Sequence, residues 1–113
     1  MYDIMGAMAS DVGSLAREMR VDGGAVANNF LLQFQADICR EEILRPVILE
    51  STAMGAAFLA GLAVGYWNGI ADLQRVWKLD RSFAPVMPEA EAEKLLYNWH
   101  RAVKRAEGWA KEE

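Results

Sequence analysis

Two adjacent glycines, Gly23 and Gly24, separate a short apolar stretch from a longer amphipathic one, and they constrain the fold more than any other feature. Residues 20–30 read RVDGGAVANNF. Met19–Val21 is too short to identify as a strand by periodicity, but a glycine turn leading into a helix is typical of a strand-to-helix connection. Such a turn either reverses the chain or lets the backbone approach a ligand that a side chain would block.

Apolar residues at near-helical spacing predict a helix of about three turns after the glycines. They are Val26, Phe30, Leu31, Phe34 and Ile38. A second extended stretch spans 42–49, where Pro46 marks an irregular or edge position. Strands separated by a helix predict a parallel βαβ unit with a right-handed crossover. Because two short strands make a poor sheet, we expect the chain to be a piece of a larger α/β domain.

The longest uncharged run contains an apolar segment, 53–67, that corresponds to about 22 Å of helix. A bilayer core is about 30 Å thick, so this segment predicts a buried core helix and no membrane role. Ser51–Thr52 predicts its N-cap and Asn68–Gly69 a left-handed stop. Gly61 and Gly65 lie one turn apart, and each costs about 1 kcal/mol relative to alanine, so we expect another backbone to approach closely there.

The remaining segments predict helices near both ends of the chain. Residues 3–10 resemble a helix, 11–14 a loop and 71–75 a short helix, followed by an irregular or extended link through Pro85. Pro88 marks the start of the last helix, predicted near 89–112. The buried stripe of that helix is predicted to comprise Leu95, Trp99, Val103, Ala106 and Ala110.

Composition excludes several classes of protein. A formal charge of −4, with 16 acidic and 12 basic residues, argues against nucleic-acid binding. A single cysteine and a single histidine exclude a structural zinc site, which needs four N/S ligands. We therefore expect a reducing, cytoplasmic setting, and the N-terminus has neither the basic region nor the apolar core of a signal peptide.

The glycine turn is the strongest candidate binding site. The first amides of the following helix and its dipole favour an anion or a polar acceptor, and the amide of Asn28 is placed to contact the same ligand. A tight turn with solvated asparagines is the alternative. Neither the Rossmann fingerprint nor the P-loop pattern is present in these residues.

The other polar residues give weaker indications. Asp22 is expected to brace the turn, His100 to lie on the surface and Cys39 to act as a small apolar packing residue. The acids Glu89, Glu91 and Glu93 alternate and predict a solvated first turn rather than a metal site. The tryptophans, predicted in the core or an interface, are Trp67, Trp77, Trp99 and Trp109. No catalytic group can be assigned from these residues.

Two blocks, RVDGGAVANNFLLQFQADI at 20–38 and ILESTAMGAAFLAGLAVGYW at 48–67, resemble the C-terminal end of the FGGY carbohydrate kinases. The DGGAVANN form resembles the glycerol kinase branch of this family. The resemblance implies a partial ribonuclease H-like (actin-like ATPase) domain, an α/β fold with a βαβα core and flanking helices but without the flanking antiparallel strands. It implies an adenosine motif near 20–38, a packing helix near 53–67 and a terminal helix near 89–112.

The resemblance also implies a nucleotide ligand. Gly24 and Asn28 match positions that contact ADP or ATP, Gly23 permits the turn, and Asp22 belongs to the turn rather than to catalysis. The full-length enzyme would transfer the γ-phosphoryl group of ATP to glycerol, with Mg²⁺, to give sn-glycerol 3-phosphate.

Because the phosphate-binding and catalytic parts have no counterpart in this chain, we expect the isolated chain to be inactive. The alternative function is a non-catalytic truncated remnant that self-associates, as a homo-oligomer, or binds a partner. A helical membrane-surface protein is a third possibility, and it rests on the apolar run alone.

Overall fold

The computed structural model describes residues 1–13, 18–108 and 110, and their centre is a three-stranded sheet. Its strands are β1 (Glu18–Arg20), β2 (Glu42–Pro46) and β3 (Leu79–Phe83), in the order β1-β2-β3. β1 runs parallel to β2, with Met19 beside Ile43, which confirms the predicted parallel unit. β2 runs antiparallel to β3, so the expectation that no flanking antiparallel strand is present was wrong. Pairing with β3 covers an edge of β2 that would otherwise be exposed.

The described residues also form five α-helices and one 3₁₀ turn. They are α1 (Tyr2–Val12), the 3₁₀ turn (Gly24–Ala27), α2 (Asn29–Cys39), α3 (Ser51–Ala63), α4 (Ile70–Val76) and α5 (Glu89–Ala106). Of the helices, α2 packs on the sheet. α1 is longer than predicted, because Asp11 and Val12 are helical and Gly13 ends the helix with a φ of 78°. Ser14, the last residue of the predicted loop, lies outside the described residues.

The core lies between α2 and the sheet and is small. Its buried residues are Val26, Leu32, Ala36, Ile43 and Phe83. α2 supplies Leu32 and Ala36, one turn apart, and the two strands supply Ile43 and Phe83, which are opposite each other. The turn that contains Gly23 and Gly24 therefore joins the two layers that make the core.

One charged side chain, Asp37 of α2, is buried beside this core. Its Oδ1 accepts hydrogen bonds from the backbone N–H of Val86 at 2.6 Å, the N–H of Met87 at 3.0 Å and Nε2 of Gln33 at 3.2 Å. Burial opposes the ionised form, but the backbone hydrogen bonds outweigh it and hold the pKa of Asp37 below its usual value. Asp37 thus fastens the segment before α5 to α2.

The apolar helix α3 is the largest departure from expectation. Gly61 is its buried residue, and most of its apolar side chains are exposed, so the prediction of a buried core helix was wrong for this chain. The helix ends at Ala63, and Gly65, with a φ of 75°, turns the chain earlier than the predicted stop at Asn68–Gly69. The close approach at Gly61 is made by the ring of Trp67 and not by another backbone. In the described residues no helix has the length and apolar content required to cross a membrane.

α5 also exposes the stripe that was predicted to be buried. Ala92 is its buried residue, whereas Leu95, Trp99 and Val103 remain partly or largely exposed. α5 ends at Ala106, before the predicted 112, so Ala110, which is exposed, is not part of it, and Trp109 lies outside the described residues. Both corrections have one cause, since the described residues supply one layer of helix over the sheet and no further layer over α3 or α5.

Asp3 joins the first and last helices. Its carboxylate accepts hydrogen bonds from Nε1 of Trp99, and its Oδ1 lies 2.8 Å from Nε2 of His100. The hydrogen bond with His100, followed by the one from Trp99, lowers the pKa of Asp3 from its usual value. His100 is exposed, as predicted, but it has a specific partner.

Candidate functional site

The turn between β1 and α2 is held at both ends by backbone hydrogen bonds. The N–H of Val21 donates to the carbonyl of Leu44 at 3.2 Å, and the N–H of Gly23 donates to the carbonyl of Leu49 at 2.7 Å. Inside the turn, the N–H of Val26 donates to the carbonyl of Gly23 at 3.2 Å. Val26 is buried in the core, so the turn is anchored beneath while its outer side faces solvent.

The two glycines have different roles in this geometry. Gly23 has a φ of 91°, a region that only glycine adopts without strain, so it is required by the path of the backbone. Gly24 begins the 3₁₀ turn and does not need a positive φ. A Cβ on either residue would meet no atom within 4 Å. The fold therefore explains Gly23 but leaves the absence of a side chain at Gly24 unexplained.

Asn28 is the N-cap of α2. Its Oδ1 accepts hydrogen bonds from the N–H of Phe30 at 3.0 Å and the N–H of Leu31 at 3.2 Å. An asparagine in this position satisfies amides that a helix cannot satisfy itself. The residue is exposed, and within the described chain no hydrogen bond uses its Nδ2, which can donate to a ligand at the surface.

Arg45 of β2 braces the far side of the turn, and the sequence patterns did not identify it. Its guanidinium donates to the carbonyls of Val26 at 3.1 Å and Ala27 at 3.4 Å, and to Oδ1 of Asn29 at 2.8 Å. Its Nε and its second terminal nitrogen both lie 2.7 Å from Oδ2 of Asp80 on β3. A rigid fork of donors suits such a multidentate contact. The only signal in the sequence was an arginine between two apolar strand residues.

The remaining candidate residues lie apart from the turn or lack contacts there. Asp22 is exposed, and no hydrogen bond among the described side chains involves it, so the expected brace is made by Arg45 instead. Cys39 is partly buried at the end of α2, and this burial raises the pKa of its thiol, as suits a packing residue. His100 lies with Asp3 at the other end of the fold. Gly23, Gly24 and Asn28 are thus brought together, and the other candidates are not.

No metal centre is formed by the described part of the chain, where no group of three or more His, Cys, Asp and Glu side chains lies close enough to hold an ion. Two apolar cavities lie away from the turn. One of about 240 Å³ lies between α1, α2 and α5, and one of about 180 Å³ lies between α3 and the segment around Trp77. The turn itself is open surface, able to form one side of a site but not an enclosed pocket.

Comparison with known proteins identifies the family of the chain. The FGGY family of carbohydrate kinases, C-terminal domain, matches residues 1–64, which is more than half of the 113 residues. The chain belongs to the FGGY family of carbohydrate kinases. The matched residues of this FGGY chain include β1, the glycine turn, α2, β2 and α3.

Individual relatives agree with this assignment. The FGGY chain is 56% identical over 109 residues to the glycerol kinase of Parabacteroides distasonis, an alignment covering 96% of this chain and 22% of that protein. It is 56% identical over 110 residues to the glycerol kinase of Petrotoga mobilis, covering 97% of this chain and 22% of that protein. The chain thus spans about one fifth of the length of these relatives.

Solved structures share its fold. Plasmodium falciparum glycerol kinase with ADP matches with a TM-score of 0.77 and 31% identity, covering 92% of this chain and 21% of that one. Ligand-bound xylulose kinase from Lactobacillus acidophilus matches with a TM-score of 0.70 at 20% identity, over 93% of this chain and 22% of that one. The FGGY chain therefore has part of the actin-like ATPase fold of sugar kinases, as predicted.

Proposed function

We propose that this chain supplies the adenosine-contacting wall of an ATP-dependent glycerol kinase, which converts ATP and glycerol to ADP and sn-glycerol 3-phosphate. The single observation that carries the proposal is the open turn at Gly24, where the fold has no need of a glycine. Two further observations support it. The relatives are glycerol kinases at 50–57% identity, and a solved glycerol kinase of the same fold has ADP.

Each turn residue has a defined part in this proposal. Gly23 sets the backbone path, and Gly24 lets the adenine and ribose approach the backbone more closely than a Cβ would permit. Asn28 uses Oδ1 to cap α2 and offers Nδ2 to an acceptor on the nucleoside. Arg45 touches no ligand and holds the turn from behind through Val26 and Ala27.

The chemistry of phosphoryl transfer lies outside this chain. Transfer depends on groups that position the phosphates and neutralise their charge, commonly with Mg²⁺. The described residues offer no cluster of metal ligands, so we assign no step through a metal to this chain. The isolated chain is accordingly expected to bind nucleotide weakly and to form no glycerol 3-phosphate above a heat-killed control.

The binding test is a titration of the ¹⁵N-labelled chain followed by NMR. We expect the amides of Gly23, Gly24 and Asn28 to shift together and saturate with a dissociation constant of about 1 mM for MgADP. Adenosine alone should shift the same amides, whereas inorganic tripolyphosphate should not, because the proposed contact is to the nucleoside. Equal shifts with tripolyphosphate would support an anion site, and no shift with any of the three would refute the proposal.

Two variants separate binding from folding. Gly24→Ala adds a Cβ where the fold has space, so we expect unchanged stability and a dissociation constant raised about tenfold or more. Asn28→Ser keeps an oxygen that caps α2 but removes Nδ2, so it should weaken binding while the helix remains intact. The matched control is Gly6→Ala in α1, which also adds a methyl group in open space. Equal binding by Gly24→Ala and Gly6→Ala would remove the assigned role of Gly24.

A second candidate function is a non-catalytic module that self-associates, as a homo-oligomer, or binds a partner. The observation that favours it is the exposed apolar surface of α3 and α5, since exposed patches of this kind commonly mark interaction sites. Light scattering on the purified chain tests it. A monomer at all concentrations, with no apolar surface detected by a hydrophobic dye, would count against this function.

A further inference from the structure

α3 is apolar on two opposite sides, and one of them is exposed. Its inner side, which includes Met54 and Phe58, lines the cavity beside Trp77. The opposite side is the outer face of α3, whose residues, spaced three or four apart, are Ala56, Leu59, Ala60 and Ala63. All four are exposed, Leu59 by 71%, and none of them lines either of the two apolar cavities.

A helix of this composition is suited to a position between two layers of protein. Helices that are apolar all round are typical of the interior of larger proteins. α3 has no charged residue, and its 13 residues form about 20 Å of helix, which is short of the bilayer core of about 30 Å. The alanines of the outer face add little bulk, so a neighbouring element can pack closely against the helix. The outer face of α3 therefore fits a second layer of protein.

The sheet also has a free edge. In the described residues β1 pairs with β2 alone, so β1 lies at one side of the sheet. The N–H of Val21 donates to the carbonyl of Leu44 on β2. Because successive N–H groups of a strand point to opposite sides, the N–H of Arg20 points away from β2, to the free edge. Such an edge is a template for a further strand.

The lengths of the relatives select the occupant of these two surfaces. The chain covers 22% of the glycerol kinase of Parabacteroides distasonis, so about four fifths of that protein lies outside the part that this chain resembles. The solved glycerol kinase shares the fold over 92% of this chain and is likewise covered by only 21%. A second copy of this chain fits less well, because a net charge of −4 on each copy opposes association.

We propose that the outer face of α3 and the free edge of β1 dock against the remaining four fifths of a glycerol kinase, supplied as a separate polypeptide, and that the two polypeptides together phosphorylate glycerol. This inference rests on the proposed function and names the partner of the chain. Apolar contact at Leu59 and backbone hydrogen bonds to an added strand beside β1 stabilise the complex.

The two polypeptides divide the reaction between them. This chain supplies the wall for the adenosine, and the partner supplies the groups that position the phosphates. The bond from the γ-phosphorus to the β–γ bridging oxygen breaks, and a bond forms from that phosphorus to a hydroxyl oxygen of glycerol. The hydroxyl proton is released, and the products are ADP and sn-glycerol 3-phosphate.

Co-expression of the two polypeptides tests the proposal. The partner is the glycerol kinase of Parabacteroides distasonis without the 109 residues that match this chain, and this chain carries an affinity tag. The measurements are co-purification and the formation of glycerol 3-phosphate from ATP and glycerol. We expect an equimolar complex whose activity is at least tenfold above that of either polypeptide alone. The same two segments joined by a peptide bond provide the positive control.

Variants of each surface test where the partner docks. Leu59→Glu places a charge on the outer face of α3, so it should raise the dissociation constant of the complex about tenfold or more while the chain stays folded. Tyr97→Glu is the matched control, since Tyr97 is 63% exposed but lies on α5, and it should change little. Arg20→Pro removes the N–H at the free edge of β1 and should weaken the complex more than Arg20→Ala, which removes the same side chain but keeps the N–H. Circular dichroism checks the fold of each variant.

The outcomes distinguish this inference from the proposed function. If the joined protein is active but the separate polypeptides neither co-purify nor act together, the inference is overturned and the proposed function stands. If a complex forms but the joined protein is inactive, docking is supported, whereas the shared activity and the proposed function are overturned. A complex that is insensitive to Leu59→Glu would overturn the assignment of α3. A dimer of this chain that forms through Leu59 in place of the complex would make a second copy the occupant and overturn the inference.

Discussion

Replacement of Arg45 by alanine is the perturbation for which the structure predicts the largest effect on the candidate site. The guanidinium of Arg45 connects three elements, since it donates to the glycine turn at Val26 and Ala27, to Asn29 at the start of α2 and to Asp80 on β3. Its side chain is only 12% exposed. Arg45→Ala would remove all of these contacts at once and leave the turn held by its backbone hydrogen bonds and by the buried side chain of Val26.

The expected cost follows from those contacts. A hydrogen bond to a charged group contributes about 1.5–3 kcal/mol when it is shielded, and an exposed ion pair about 0–1 kcal/mol. Asp80 is 44% exposed, and Ala27 and Asn29 are also exposed. Because water can partly replace the hydrogen bonds to these residues, most of the bonds contribute less than the shielded value. We expect a total loss of about 3 kcal/mol. Domains are typically stable by only about 5–15 kcal/mol, so this is a large fraction.

Urea unfolding followed by circular dichroism measures this loss. A loss of about 3 kcal/mol corresponds to a fall in the unfolding midpoint of about 1–3 M, at a slope of about 1–3 kcal/mol/M. Arg45→Lys keeps the charge near Asp80 but not the fork of donors, so it should recover only part of the stability. The matched control is Arg81→Ala on β3, whose guanidinium lies 4.8 Å from the ring of Phe83. If Arg45→Ala and Arg81→Ala lower stability equally, Arg45 does not brace the turn.

Two further predictions concern stability. Asp37→Asn should destabilise the chain by about 2 kcal/mol at pH 7. Because the native pKa of Asp37 is lowered, its contribution is present above the unfolded value of about 3.9 and is lost as pH falls through the native pKa. Urea unfolding at pH 7 and pH 3 should therefore show the wild type and variant converging in acid. Gly61→Ala should lower the free energy of unfolding by about 1–3 kcal/mol, because the added Cβ would meet the ring of Trp67. A Cβ at Gly55 would meet no atom within 4 Å, so Gly55→Ala should stabilise α3 by up to about 1 kcal/mol. Thermal unfolding of both variants tests this difference, and equal shifts would contradict it.

The parallel unit around the glycine turn was predictable because its signals are local. The turn, the cap at Asn28 and the apolar spacing of α2 are each encoded within a few residues, and the structure has β1, α2 and β2 in the predicted order. Pro88 was likewise sufficient to predict the start of α5. Short-range patterns of this kind need no knowledge of what the element packs against.

The features that the sequence patterns predicted wrongly or missed depend on what each element contacts. β3 is a charged segment, LDRSF, with no apolar alternation, and it becomes a strand because β2 offers it an edge and Phe83 reaches the core. The apolar composition of α3 predicts burial only where another layer of the protein covers the helix. The described residues supply no such layer, so most of its apolar side chains are exposed. Arg45 and Asp80 are far apart in sequence, so their pairing across β2 and β3 follows from the register and not from any motif.

Gly23 and Gly24 have different roles in the turn, and this difference bears directly on how the turn would function. Gly23 adopts a backbone conformation that would be strained for any other residue, and the turn around it is anchored by the carbonyl of Leu49, by buried Val26 and by Arg45. A turn held in this way is already shaped before any ligand arrives, which reduces the ordering that binding would require. Gly24 adds nothing to that shape and only keeps the outer face open. A preformed, open turn is useful to a ligand that packs on backbone, which is why substitution at Gly24, and not at Gly23, separates binding from folding.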